Sequence, residues 1–441
     1  MPFEAPTASS IAALQPSGPR RRIAVIGGGI SGMGAAHMLA DEAEVVLFEA
    51  EHRLGGHART VIAGRNGDQP VDTGFIVFNY ANYPHLAELF DTLGVPVVKS
   101  NMSFGASIDG GRMEYALHSL DALFATRRNT VVPQFLRMVR DIFHFNRHAL
   151  RRASDRSLNI GEFLGKMGTG TWFRDYYLLP LSGAIWSTPK ERIMEFPAHA
   201  MIQFFENHAL LNTYGQHQWY TVQGGSAQYV SRLEASLRSR GVGIRLKTPV
   251  QEVRRQHGKV TIRAHGGVSE VFDDVIFATH SDDTLRLLAD ASAQERASLG
   301  TIAYQPNEIV LHADESLMPR RRKTWASWVY TEDRNARSDE IDLTYWMNSL
   351  QPIPQDDPHF VTLNSRRPIR EELIYDQVTL RHPVYTLEAL AAQQELQRNN
   401  GTDNTWFCGA WMKHGFHEDG LSSAVDVVER MRQRQVSLAA A

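Results

Sequence analysis

Residues 22–49 read RIAVIGGGISGMGAAHMLADEAEVVLFE. The opening RIAVI is almost wholly apolar, the pattern of a strand covered on both faces. Gly27, Gly29 and Gly32 follow with GxGxxG spacing. Residues 31–41 then read as a helix, and 44–49 (EVVLFE) as a second buried strand. In this setting Gly27 permits a tight turn, Gly29 lets backbone approach a pyrophosphate, and Gly32 lets helix and strand pack closely. The helix N-terminus, with Ile30 and Ser31, faces the phosphates. Glu49 ends the second strand where a carboxylate accepts hydrogen bonds from ribose hydroxyls, and Ala50 follows as a further candidate contact. The reading is an α/β chain with a Rossmann-like dinucleotide site.

Further pieces of the same fold lie far along the chain. Residues 220–226 (YTVQGGS) read as a strand and turn before a helix at 226–240. Short strands are expected at 242–247, 249–255 and 259–264, and a buried strand at 273–279. Residues 405–410 (TWFCGA) read as a strand, followed by a glycine turn and a helix at 421–434. The region 84–219 is mixed and rich in helix signals, and 300–365 holds strands with aromatic content. The expected division is a nucleotide-binding domain from 22–83, 220–295 and 400–441, interleaved with an α+β substrate domain from 84–219 and 296–399. Residues 1–21 are expected to form a disordered tail.

The 441 residues are 43% hydrophobic and 22% charged, as in a soluble globular protein. The net charge of −3 argues against a dedicated nucleic-acid binder. Cys408 is the only cysteine, so neither an intrachain disulfide nor a cysteine-based metal site is expected. There is no signal-peptide h-region near the start and no run of 18 apolar residues. These features point to a cytoplasmic protein.

Residues 49–57 read EAEHRLGGH, and 406–424 read WFCGAWMKHGFHEDGLSSA. Here the chain resembles the flavin-containing amine oxidoreductase superfamily, whose members carry an acid, then Arg, then a Gly pair usually followed by Arg. Glu49, Arg53, Gly55 and Gly56 match; His57 stands at the usual arginine, with Arg59 nearby. The resemblance implies FAD, with Arg53 near pyrophosphate and the Gly pair near the flavin. It also implies that Gly409 lies on the pyrophosphate side and that Asp419–Gly420 opens a helix. Leu421 and Ser422 would start that helix and offer N–H groups to the flavin. Val250 matches the adenine-side position. With no cysteine at the covalent attachment point, the implied FAD is noncovalent. VDTGFIVFN (71–79), AIWSTP (184–189) and TYWMNSLQ (344–351) are similar to a bacterial subfamily whose genes often lie near cyclopropane-fatty-acid synthase, which implies a lipid substrate.

Three functions stand open on these residues: an acyl dehydrogenase, desaturase or double-bond isomerase; a flavin amine oxidase; and a non-catalytic flavin- or lipid-binding protein. Amine oxidases carry a lysine on a substrate-domain strand, and the corresponding stretch here, IAYQPNEIVLH (302–312), has none. Their aromatic cage residue is here His417, a candidate base for proton abstraction, oriented by Glu418 or Asp419. Aromatics from Trp172 to Trp346 are candidate tunnel walls. In 133–152, Phe135, Leu136, Val139, Ile142 and Phe143 recur at helical spacing, opposite Arg137, Arg140, His144, Arg147, His148 and Arg151. This is either a core helix with a solvated basic face or a peripheral contact with anionic head groups at the inner face of a membrane.

Overall fold

The computed structural model describes residues 20–186, 190–212, 217–267, 269–332 and 342–440. The expected tail at 1–21 lies almost wholly outside these residues, as do positions 187–189 of the AIWSTP motif.

The apolar run after Arg21 becomes the strand Arg22–Ile26, in the middle of a five-stranded parallel sheet. The order across the sheet is Gly243–Arg245, Glu44–Phe48, Arg22–Ile26, Asp274–Phe277 and Thr405–Phe407. One sheet is thus assembled from the start, middle and end of the chain. Alternation along a strand sends side chains to opposite faces. Ile23, Val25, Val45 and Leu47 meet the helices Ile30–Leu39, Ala227–Ser239 and His417–Ala440. Ala24, Ile26, Val46 and Phe48 meet an antiparallel sheet of Val250–Gln256, Lys259–Ala264 and Ser269–Phe272. The helix Pro84–Leu93 also packs into the first of these cores through Leu86, Leu89 and Phe90.

A seven-stranded mixed sheet forms the second layer system. Its order is Ile374–Val384, Ala303–His312, Phe360–Leu363, Leu343–Trp346, Trp328–Glu332, Phe104–Ile108 and Met113–Ala116. The helices Pro133–Arg152, Ile160–Met167, Leu179–Trp186 and Ala198–Asn207 share its core. Buried Asp72 ties the two systems together. Its carboxylate accepts from Thr60, from the Ser226 amide and hydroxyl, and from Gln351 Nε2 at 3.0 Å, while its own amide donates to Gln351 Oε1 at 2.9 Å. The motifs 71–79 and 344–351 therefore touch.

The C-terminal helix departs from expectation. It runs His417–Ala440, beginning four residues before Leu421. The Phe416 carbonyl already accepts from the Gly420 amide, and the Asp419 carboxylate turns back to accept from the Phe416 amide. Leu421 is buried instead of opening the helix. A Cβ on Gly34 would lie 2.4 Å from Leu421 Cδ1, and one on Gly420 would lie 2.9 Å from Ser31 Oγ. Both glycines serve close packing of this helix on Ile30–Leu39.

Candidate functional site

A cavity of about 1190 Å³ runs from the glycine turn into the space between the two sheets. At one end it is lined by Gly27, Gly28, Gly29, Ile30, Ser31, Glu49, Ala50 and Val250. All but Val250, which opens the antiparallel sheet, follow the carboxyl ends of parallel strands, where open α/β sheets place their ligands. Gly27 has φ +107°, and a Cβ there would stand 2.8 Å from the Ala278 carbonyl oxygen. A Cβ on Gly32 would stand 1.9 Å from the Gly27 carbonyl oxygen. Gly32 is thus needed for packing and does not line the cavity. Gly29 is different, because a Cβ there meets nothing within 4 Å. Its backbone faces open space, which is the shape a pyrophosphate cradle requires. Glu49 accepts from the Gly28 amide at 2.6 Å and the Glu51 amide at 2.8 Å, which fixes its carboxylate at the cavity edge.

Gly55, Gly56, His57 and Gly409 also line the cavity, with Gly55 bridged to Gly29. Arg53 does not line it. Its guanidinium donates to the carbonyls of Leu54, Gly56 and Ala58 and lies 3.3 Å from Glu51, so it clamps the loop that carries the glycine pair. Arg59 is likewise turned away, into a two-pronged pair with Asp376 at 2.6 and 3.0 Å. Asp419, Gly420 and Leu421 stand behind the wall, and the helix end that reaches the cavity is formed by Phe416 and His417. That end carries the positive pole of the helix dipole.

Four imidazoles line the middle of the cavity: His57, His280, His382 and His417. The His57 ring centroid lies 5.8 Å from that of His280 and 5.4 Å from that of His382. Burial pushes His280, His382 and His417 down to about 3, helped by neighbouring imidazoles, so all three are neutral near pH 7. Burial, with Arg53 and Arg381, lowers His57 as well.

His417 stacks on Phe75 with 4.0 Å between centroids, and its Nε2 lies 2.7 Å from the Tyr229 hydroxyl. Glu418 and Asp419 do not orient this ring. Glu418 accepts from the amides of His85 and Leu86, and Asp419 from that of Phe416. Burial holds Tyr229 well above its ordinary pKa, so its hydroxyl keeps its proton. The arrangement that satisfies both groups has Tyr229 donating to Nε2, with the ring proton on Nδ1. His57 Nε2 lies 3.2 Å from the Arg381 carbonyl oxygen and donates to it, which leaves Nδ1 as a lone-pair acceptor.

Sequence reasoning did not single out His280, His382, Tyr229 or Phe75. Only His280 carried a signal, standing directly after a buried strand of the parallel sheet. His280 also groups with Asp282 and Asp283 in a metal-ligand arrangement. Both carboxylates are paired with Arg381, at 2.5 and 2.7 Å.

Beyond this cluster the walls turn mainly apolar, through Val139, Ile142, Tyr177, Leu181, Ile185 and Phe204, with Asn146, Asn212 and a further imidazole, His208, among them. Of the expected tunnel aromatics, Tyr177, Phe204, Trp328 and Tyr345 line the cavity, whereas Phe205 and Trp325 are buried in cores away from it. No lysine lines the cavity among the described residues, and its acids are Glu49, Glu51 and Asp283, all from nucleotide-fold segments.

The sequence profile of the flavin-containing amine oxidoreductases matches residues 30–432. The chain belongs to this family. It is an FAD-dependent oxidoreductase, and the open cradle at Gly29, the fixed Glu49 and the Gly55–Gly56 turn fit that cofactor. None of the curated proteins matches the chain in sequence. Among solved structures, a CLA-producing fatty acid isomerase from P. acnes is similar, with a TM-score of 0.68 and 15% identity over 93% of this chain and 98% of that one. Cyclohexylamine oxidase from Brevibacterium oxydans IH-35A gives 0.66 and 15% over 94% and 100%. A putrescine oxidase bound to putrescine gives 0.67 and 14% over 95% and 99%. At these identities the likeness is one of fold. No helix among the described residues is long and apolar enough to cross a membrane.

Proposed function

We propose that this flavoenzyme oxidises an acyl chain of a lipid by removing hydride from an activated C–H. The observation that carries the proposal is the wall of the cavity beyond the imidazole cluster, which is mainly apolar and offers neither lysine nor carboxylate. A charged amine entering it would lose its hydration without gaining a counter-charge, which is costly. An acyl chain gains about 0.8 kcal/mol per buried CH₂.

Bound FAD supplies a two-electron acceptor. The substrate loses a hydride from one carbon and a proton from its neighbour, and a double bond forms between them. The chain's residues bind the acyl group, exclude water and take the proton. His417 has its Nε2 lone pair occupied by Tyr229 and serves as an Nδ1–H donor at the helix end. The proton acceptor is then His57 or His280. His57 keeps a lone pair on Nδ1, and His280 has no ring hydrogen bond among the described residues. Cys408, the only cysteine, is buried just after the strand Thr405–Phe407 with its thiol pushed up to about 12, so it forms no link to the flavin in this reading.

Mass spectrometry of lipids from cells with and without the active protein tests the reading. An acyl lipid that loses two hydrogens supports oxidation. One whose double bond moves without mass change supports isomerisation on the same site. Identical acyl profiles in the two cell lines overturn the lipid assignment.

A further inference from the structure

The helix Pro133–Arg152 buries only part of the apolar face that its sequence suggests. Its buried residues are Phe135, Met138, Asp141, Phe145 and Ala149. Leu136, Phe143 and Leu150 are 43%, 54% and 44% exposed. They are spaced by seven residues, close to two turns, so they form one ridge along the helix. Val139, Ile142 and Asn146, on the inner side of this ridge, line the substrate end of the cavity. Arg140, Arg147 and Arg151 lie on its outer side.

The cavity reaches the surface at this ridge. Its lining includes exposed Phe143 and, across from the helix, exposed Leu117 and Leu120, the last 77% accessible. The mouth is thus rimmed by the exposed apolar side chains Leu117, Leu120 and Phe143, with exposed His118 and Ser119 between the two leucines. Charge is concentrated beside it. Residues 127–152 hold seven arginines and a single acid, Asp141, in a chain whose net charge is −3. Asp141 is buried, where its carboxylate accepts from the Gly170 amide and pairs with Arg140. Arg147 and Arg128 make no ion pair among the described residues.

We propose that this face docks on an anionic lipid bilayer, with the Leu136–Phe143–Leu150 ridge and Leu120 in the acyl boundary and the arginines at the phosphate level. An amphipathic helix lying in the interface has this distribution of apolar and basic residues. Apolar area and basic charge act together there, neither being sufficient alone. Docking sets the cavity mouth against the bilayer, so that an acyl chain passes between membrane and active site without crossing water. That passage rests on the acyl-substrate reading above; the docking surface stands on its own.

The FAD-loaded full chain is sedimented with vesicles of phosphatidylcholine alone and of phosphatidylcholine containing phosphatidylglycerol. Binding is expected to the second kind and to weaken with salt, since exposed charges are screened over about 8 Å at physiological ionic strength. Arg140→Gln, Arg147→Gln and Arg151→Gln together are expected to weaken it by about 100-fold. Leu136→Ser with Leu150→Ser, at exposed positions outside the cavity lining, is expected to weaken it at least tenfold with FAD content and circular dichroism unchanged. Equal sedimentation with both vesicles, or parental binding by both variants, overturns the proposal. So does a dimer that the leucine variant dissociates while vesicle binding persists, which would assign the ridge to a second copy. No step uses turnover: failure here leaves the acyl assignment intact, and docking without any acyl reaction would count against that assignment alone.

Discussion

Gly29 and Gly32 share a motif but not a task. A side chain at Gly32 collides with backbone, whereas one at Gly29 extends into the cradle. Gly29→Val is therefore expected to fold with parental circular dichroism and to lose most of its FAD; a variant that retains full flavin content places the pyrophosphate elsewhere. The motif spacing alone makes this turn readable, because backbone approach to a phosphate depends on local residues. The imidazole cluster is not readable in the same way, because His57, His280, His382 and His417 come from four distant segments and meet only in the fold. His57→Gln or His280→Gln is expected to slow flavin reduction by roughly 10²–10⁴-fold if that ring takes the proton. His417→Gln, which keeps an N–H donor, is expected to stay within about tenfold of the parent. Single-turnover rates across pH check both expectations, and the opposite ranking would return the base to His417. The same rings couple stability to pH. Their folded pKa values near 3 lie below the unfolded value of 6.5, so the unfolded chain binds more protons between these limits. Stability is fully present above pH 6.5 and is lost as pH falls toward 3, by up to about 1.4 kcal/mol per pH unit for each ring that titrates. Thermal midpoints measured over that range should fall accordingly, with a shallower slope when His382 is replaced by Gln.

At the scale of elements, the parallel sheet and its first helix follow directly from periodicity, since both faces of those strands are covered and their sequences are continuously apolar. The start of the C-terminal helix does not. Asp419–Gly420 reads as a turn, but the Asp419 carboxylate reaches back to the Phe416 amide and the helix begins at His417. Leu421 consequently belongs to the interface with the helix Ile30–Leu39. Leu421→Ala is expected to cost about 2–5 kcal/mol in denaturant unfolding. A loss of flavin at parental stability would instead assign Leu421 to the cofactor. The helix Pro133–Arg152 is only half legible for a related reason. Spacing identifies an amphipathic helix but cannot separate the apolar stripe facing the core from the one facing the cavity mouth and solvent, and Leu136 and Phe143 belong to the latter.

For the whole molecule, family and cofactor are visible because their motifs follow strands from both ends of the chain that join in one sheet. Substrate class is not fixed by any motif, since it depends on what the cavity presents once two sheets and a helical layer close around it. The central claim is that acyl lipids, not amines, deliver electrons to this flavin. It is tested most directly by mixing the FAD-loaded protein anaerobically with a panel of acyl lipids and a panel of primary amines and polyamines. Flavin absorbance is followed, and the same samples are taken for mass spectrometry. The account predicts that an acyl lipid bleaches the flavin or emerges with a new or relocated double bond, and that no amine does either. Rapid bleaching by an amine, with every acyl lipid recovered unchanged, would contradict it.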